Sequence, residues 1–188
     1  MKTFKKFLIE SSVDAEIELL SVYFDKLSDV KSLKDTYYVK ESIKKYPKLS
    51  LSEIIAIRLY TGTGYKVFND KTTPDKVRDI LSIAIKKLPK YSGIVTRETY
   101  LPDMALQNYL DSNVIIEKDR FTSGTIKEGF KYGSGQEFII HSKSGRVIGD
   151  LSYNPYEQEI IFDVNSKFKK ISQEQLSSTH YRFVLEQI

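Results

Sequence analysis

The sequence contains no cysteine and only two histidines, His141 and His180. Without cysteine the chain has no disulfide, no thiolate nucleophile and no cysteine ligand for zinc. Two histidines do not make a histidine-rich metal site, and no spacing typical of metal ligands occurs elsewhere in the sequence. We therefore expect chemistry that requires no metal ion.

Long apolar runs are also missing. No stretch reaches the roughly 18 residues that a membrane-spanning helix needs. The first residues, MKTFKKFLIESS, contain only the apolar run FLI, which is too short for the core of a signal peptide. We therefore expect a cytoplasmic protein with no membrane partner.

The composition is that of a folded domain. Of the 188 residues, 40% are hydrophobic and 12% aromatic, which is enough to build a core. The 29 basic and 25 acidic residues are interspersed and leave a net charge of +4, so a solvated surface is a better interpretation than a nucleic-acid groove. The length predicts one domain, which we expect to be a monomer.

Helical periodicity dominates the first half of the chain. Apolar residues recur at three- and four-residue spacing over residues 13–27, 34–46, 51–60 and 74–88. Ser12 is predicted to cap the first helix, and Ser50 and Glu53 form a capping box before the third. Gly62 and Gly64 predict a helix stop or a kink, and Pro74 is predicted at the first helical position of the last segment.

Strand patterns follow from Tyr91 onward. Alternating or β-branched segments cover residues 93–100, 113–119, 137–144, 146–153, 159–164, 167–172 and 180–188. Residues 143–146 and 154–157 are predicted turns, and residues 103–111 form the one helical interruption. Helices followed by mostly antiparallel strands predict an α+β fold.

Two familiar types of site are not supported. Gly62-Thr63-Gly64 lacks the third glycine of a dinucleotide-binding loop and follows a helix, where that loop requires a strand. The G-x-S-x-G turn of a hydrolase is absent, and neither histidine has an obvious nucleophile beside it. The two glycines are therefore interpreted as the end of a helix.

Three features of the strand half carry possible chemistry. Glu157 and Glu159 form an E-x-E pair, which suits stabilisation of positive charge at an anomeric carbon but by spacing alone is typical of solvated surface. Arg97 lies within a strand and binds either a phosphate or a structural carboxylate. Ser123, in the hydroxyl-rich segment FTSGT, orients a carboxylate or caps a turn.

Taken in order, these segments resemble the arginine-specific mono-ADP-ribosyltransferases of the R-S-E class, which include clostridial binary toxins and modification enzymes of T4-like phages. SLSEIIAIRLYTGTGYKVFN resembles the helical segment before the NAD site, GIVTRET the first-strand arginine motif, FTSGT the F-x-S-T-S motif and YEQEIIF the E-x-E motif. The resemblance covers residues 49–188. Gly124 and Thr125 depart from the second and third positions of S-T-S, and Glu98 replaces the usual glycine.

The resemblance implies NAD as the donor and an arginine of a target protein as the acceptor, with release of nicotinamide and without a metal. It implies that Glu159 binds the 2′-hydroxyl of the nicotinamide ribose and that Ser123 holds Glu159. Arg97 is implied to bind the NAD phosphates, and Glu157 to engage the acceptor guanidinium.

Aromatic residues are expected to complete the NAD pocket. Tyr65 is expected to line it, and Phe130 or Tyr132 to stack on the nicotinamide ring. Glu157 favours an arginine acceptor, because members of the family directed at asparagine carry glutamine there. DNA or another side chain is the alternative acceptor.

The resemblance also implies a fold. We expect two packed mixed or antiparallel sheets around an NAD cleft, with the helices to one side. Residues 1–188 are expected to form one domain, with a helical extension over 1–48 and a catalytic core over 49–188. The small size and the opening residues resemble a phage product that modifies host proteins. The alternative function is a basic α+β binding module with a degenerate, non-catalytic NAD-like site.

Overall fold

The computed structural model describes residues 2–24, 30–127 and 135–188, with side chains from residue 12 onward. The chain divides into two compact units. The helical unit comprises Met1–Leu88 and Asp150–Asn154, and the sheet unit comprises Pro89–Gly149 and Pro155–Ile188. The proposed extension over residues 1–48 of a single domain stays a prediction.

The helical unit is built around buried aromatic and aliphatic side chains. The ring of Phe24 lies 4.8 Å from that of Phe68, and both side chains are fully buried. Among the described residues, no helix is long and apolar enough to cross a membrane. The helices are α1 (Lys2–Phe24), α2 (Val30–Leu33), α3 (Tyr37–Lys45), α4 (Leu51–Leu59), α5 (Tyr65–Phe68) and α6 (Asp75–Lys86).

Capping explains where these helices begin. The box that precedes α4 is confirmed, because the Ser50 hydroxyl accepts from the Glu53 N–H at 3.2 Å and the Glu53 carboxylate accepts from the Ser50 N–H at 2.7 Å. The cap predicted at Ser12 is wrong. No glycine or proline interrupts residues 2–11, so α1 continues through them and Ser12 lies inside the helix. Pro74 precedes the first residue of α6 instead of occupying it.

Gly62 produces the predicted kink. Residues Tyr60–Gly64 form a π-helical turn after α4, and inside it Gly62 adopts a non-helical backbone conformation (φ −92°, ψ −131°). The chain then resumes as α5. The chain after α4 therefore follows a bend rather than a continuous helix.

The sheet unit confirms the α+β prediction. Its strands are β1 (Lys90–Thr99), β2 (Val114–Ile116), β3 (Thr122–Thr125), β4 (Gln136–Val147), β5 (Glu159–Phe162), β6 (Lys167–Gln175) and β7 (Tyr181–Gln187), and the helix α7 (Asp103–Asp111) interrupts them as predicted. The spatial order is β1-β3-β5-β4-β7-β6-β2, with β1 also paired to β4. Only β4 and β7 run parallel among these pairs.

The turn predicted over residues 143–146 is wrong, because β4 continues through it to Val147. Gly145 pairs with Tyr91, and Arg146 pairs with both Lys90 and Ile161. Two neighbouring strands therefore satisfy the backbone groups of this polar stretch, which overrides its local preference for a turn. Of the strand predicted over residues 146–153, only residues 146 and 147 are in a strand, as the end of β4. The turn predicted over 154–157 is present as the 3₁₀ turn Pro155–Glu157.

Strands β1, β3, β5 and β4 close a ring of hydrogen-bonded neighbours. Gly124 permits the contact between β1 and β3, since a Cβ there would lie 2.5 Å from the Thr96 carbonyl oxygen and 2.8 Å from Val95 Cγ1. The departure at the second position of the S-T-S motif is therefore a packing requirement of this chain. The apolar core beside these strands includes Val95, Phe138, Ile160 and Phe162.

Candidate functional site

Glu159 is the first residue of β5 and its carboxylate is buried, with 6% of the residue exposed. Thr125 of β3 lies directly opposite Glu159, and Ser123 lies opposite Ile161. Directly opposed residues of an antiparallel pair point to the same face, as do residues two apart on one strand. Ser123, Thr125 and Glu159 therefore share one face, with Ser123 diagonal to Glu159 and within the range of a side-chain contact.

Arg97 contacts β3 through the backbone of that strand and not through a shared face. Thr96, and not Arg97, lies opposite Thr125, so the Arg97 side chain leaves β1 on the other side from Thr96. Its Nη1 donates to the backbone carbonyl of Ser123 at 2.6 Å. This bond uses one of the five N–H donors of Arg97. The structure thus brings Arg97 to the backbone of Ser123.

Charged side chains lie near Tyr109 and Arg97. The Tyr109 hydroxyl donates to a carboxylate oxygen of Glu117. Burial raises the pKa of Tyr109, and the Glu117 charge adds to this, whereas the guanidinium groups of Arg97 and Arg120 oppose it. The guanidinium groups of Arg97 and Arg120 therefore both act on this hydroxyl, beside the carboxylate of Glu117.

The two glutamates do not lie on one continuous strand. Glu157 ends the 3₁₀ turn Pro155–Glu157 and is half-buried, whereas only Glu159 belongs to β5. Gln158 between them adopts a left-handed conformation with φ +48°. Such a conformation breaks the alternation of a strand. The rule that residues two apart on a strand share a face therefore does not apply to Glu157 and Glu159.

Thr125 is a site residue that motif reasoning overlooked. Its hydroxyl donates to the carbonyl of Glu157 and accepts from the Lys127 N–H at 2.9 Å. The Ile126 N–H donates to the Gln158 carbonyl at 3.3 Å. Thr125 and its neighbour therefore hold the turn between Glu157 and Glu159 by hydrogen bonds. The signal in the sequence was that position 125 keeps a hydroxyl where the family motif has serine.

We expect Thr125→Val to slow nicotinamide release and to lower the free energy of unfolding by about 1–3 kcal/mol. The valine leaves the Glu157 carbonyl without the buried hydroxyl that donates to it. Thr125→Ser keeps the hydroxyl and should restore activity. Thr122→Val, on the opposite face of β3 against Phe162, is the matched control. Urea unfolding and nicotinamide assays measure both effects. Equal losses for valine at 122 and 125 would contradict a specific role for the Thr125 hydroxyl.

Of the aromatic residues predicted to complete the NAD pocket, the structure describes only Tyr65. Tyr65 is the first residue of α5 in the helical unit and is 46% exposed. Phe130 and Tyr132 lie outside the described residues. Their contacts with NAD stay predictions. Among the residues that the structure describes, no group of histidine, aspartate and glutamate side chains is arranged to hold a metal ion.

Comparison with known proteins finds a curated relative. No protein-family model matches the chain. The chain is 34% identical over 135 residues to "Putative NAD(+)--arginine ADP-ribosyltransferase Mav" of Mycobacterium avium (strain 104). The match covers 66% of this chain but only 16% of the relative, so the chain spans about one sixth of the length of that protein.

Solved structures resemble the chain over most of its length. The type III effector XopAI of Xanthomonas axonopodis pv. citri is 17% identical with a TM-score of 0.76, over 93% of this chain and 88% of XopAI. The ADP-ribosyltransferase HopU1 of Pseudomonas syringae pv. Tomato DC3000 is 20% identical with a TM-score of 0.65, over 82% of this chain and 84% of HopU1. At these identities the likeness shows a shared fold.

Proposed function

We propose that this chain, whose fold is that of the ADP-ribosyltransferases, transfers ADP-ribose from NAD to arginine side chains of a target protein. One observation carries the proposal. Arg97, Ser123 and Glu159, which are far apart in sequence, lie on β1, β3 and β5, and these strands are consecutive hydrogen-bonded neighbours. Three motifs that resemble one family therefore lie on adjacent strands. By strand alternation the Arg97 side chain leaves β1 on the face opposite to Ser123 and Glu159, and it contacts β3 at the Ser123 carbonyl.

The comparisons support this assignment. The mycobacterial relative carries the name of an NAD(+)--arginine ADP-ribosyltransferase, and HopU1 carries that of an ADP-ribosyltransferase. They favour an enzyme over the degenerate binding module. The identity of the target, the monomeric state and the phage origin stay predictions.

Glu159 has the role of stabilising the reacting ribose. When the bond between the anomeric carbon and nicotinamide breaks, positive charge develops on that carbon and nicotinamide leaves as a neutral group. A buried carboxylate acts strongly on this charge, because few water molecules screen it and its position is fixed before the reaction. Pairing of β5 with β3 fixes the position of Glu159.

Glu157 has the role of preparing the acceptor. A guanidinium group is protonated at ordinary pH and is a poor nucleophile in that state. The Glu157 carboxylate would align the guanidinium and take one proton as its nitrogen bonds to the anomeric carbon. The turn at Gln158 gives Glu157 an orientation independent of β5, as two separate tasks require.

Arg97 has the role of binding the pyrophosphate. A guanidinium group donates to phosphate oxygens in a planar fork. The bond from Nη1 to Ser123 holds one side of this fork and so limits its rotation. Ser123, diagonal to Glu159, has the role of holding the carboxylate of that glutamate.

Labelled NAD and a lysate test the proposal. NAD with a label on its adenylate group is incubated with the purified chain and a bacterial lysate, and modified sites are identified by mass spectrometry. We expect ADP-ribose on arginine residues. Consumption of NAD without labelled protein would leave only NAD hydrolysis, and an unchanged NAD concentration would favour the binding module.

A further inference from the structure

Five of the seven residues between β4 and the turn Pro155–Glu157 belong to the helical unit. This segment, Asp150–Asn154, is assigned with Met1–Leu88, whereas the residues before and after it belong to the sheet unit. Leu151 and Ser152 have no exposed surface. Such burial is unusual for a polar connection and requires specific partners for its backbone groups.

Arg58 of α4 supplies the central partner. Its guanidinium carbon lies 3.9 Å from the ring centroid of Tyr38 and 4.8 Å from that of Tyr153. Its Nη1 donates to the carbonyl of Ser152 at 2.5 Å. A planar guanidinium that contacts two aromatic rings and a carbonyl has one orientation, which a lysine ammonium does not reproduce.

Further contacts hold both ends of the segment. Lys45 pairs with Asp150 at 2.5 Å, and the Tyr46 hydroxyl also donates to Asp150. Burial opposes ionisation of Asp150, but the hydrogen bonds from Lys45 and Tyr46, a backbone hydrogen bond and the Lys45 charge together lower the pKa of the carboxyl. At the other end, the Tyr153 N–H donates to the Thr61 hydroxyl at 2.8 Å.

We propose that Arg58 is a positioning residue for the acceptor side of the reaction, an inference that rests on the proposed function. By fixing Asp150–Asn154, it fixes the start of the turn Pro155–Glu157, which follows directly in the chain. Glu157 is thereby presented to the incoming arginine in one place.

The two glutamates differ in how they depend on this segment. The backbone of Glu159 is held on both sides, by pairing with Thr125 and by the bond from the Ile148 N–H to its carbonyl at 3.1 Å. Glu157 lies outside any strand, and its carbonyl accepts from the Thr125 hydroxyl. Loosening of the preceding segment should therefore move Glu157 more than Glu159. Transfer to arginine should suffer, and cleavage of NAD by water should not.

Arg58→Ala and Arg58→Lys test the proposal, with Arg78→Lys as control. Arg78 lies on α6 of the same unit, where it pairs with Asp75 at 2.7 Å and donates to the Asp70 carbonyl at 3.1 Å. Nicotinamide release is measured with and without agmatine, a small guanidinium acceptor. For Arg58→Ala we expect kcat/KM for agmatine to fall by roughly 10- to 100-fold, since small displacements of aligned groups have effects of this size. Hydrolysis without agmatine and the KM for NAD should stay within about twofold, and Arg58→Lys should restore little.

Hydrogen exchange gives a readout that does not depend on activity. Peptides covering Asp150–Asn154 should exchange faster in Arg58→Ala than in the wild type, and not in Arg78→Lys. Faster exchange with unchanged transfer overturns the positioning role, as does an equal loss of transfer and hydrolysis. A wild-type protein that releases no nicotinamide refutes the proposed function itself, and that result is distinct because the unaltered chain is then inactive.

Discussion

Replacement of Glu159 by glutamine should abolish nicotinamide release both with and without an acceptor. Both reactions pass through the same cationic ribose, and the amide removes the negative charge that stabilises it. Loss of one such electrostatic contact lowers kcat by about 10²- to 10³-fold in other enzymes. Because glutamine has nearly the same size, the packing around the buried side chain should be kept.

Glu157→Gln is the informative partner of that variant. It should abolish transfer to agmatine and leave much of the hydrolysis, because water needs no alignment of a guanidinium group. Glu174→Gln, on the exposed part of β6, is a matched control that should change neither reaction. If Glu157→Gln loses hydrolysis as completely as Glu159→Gln, the division of roles between the two glutamates is wrong.

Arg97→Ala should weaken NAD binding by about 1.5–3 kcal/mol, the value of a hydrogen bond to a charged group, which is roughly a 10- to 150-fold rise in Kd. Arg97→Lys should restore binding only in part, because an ammonium group lacks the planar fork. Titration calorimetry with NAD measures both.

The alanine variant also loses the bond to the Ser123 carbonyl, so its fold must be checked by unfolding in urea. An affinity that is unchanged in a folded Arg97→Ala variant would return Arg97 to a purely structural role.

Sequence patterns correctly predicted the features of the fold that depend on residues close together in the chain. The capping box of Ser50 and Glu53 lies within four residues and is present, and the glycines after α4 produce the predicted kink at Gly62. The E-x-E pair illustrates the limit. The sequence left open whether both glutamates lie on a strand, and the left-handed conformation of Gln158 decides this.

Features that depend on strands far apart in the chain could not be predicted from neighbouring residues alone. Residues 143–146 have the composition of a turn, yet pairing with Lys90 and Ile161 extends them as a strand. Gly124 looked like a departure from a motif until the position of the Thr96 carbonyl showed that no side chain fits. The bond from Thr125 to Glu157 joins residues 32 positions apart. In each case the deciding partner is remote in sequence.

The central claim is that this chain forms a bond between the ribose of NAD and an arginine guanidinium group. Mass spectrometry of a mixture of the purified chain, NAD and agmatine tests it most directly. We predict ADP-ribosylated agmatine, with nicotinamide equal in amount to the sum of modified agmatine and free ADP-ribose, and none of these products formed by Glu159→Gln. Absence of nicotinamide, or nicotinamide with free ADP-ribose and no modified agmatine, would contradict the claim.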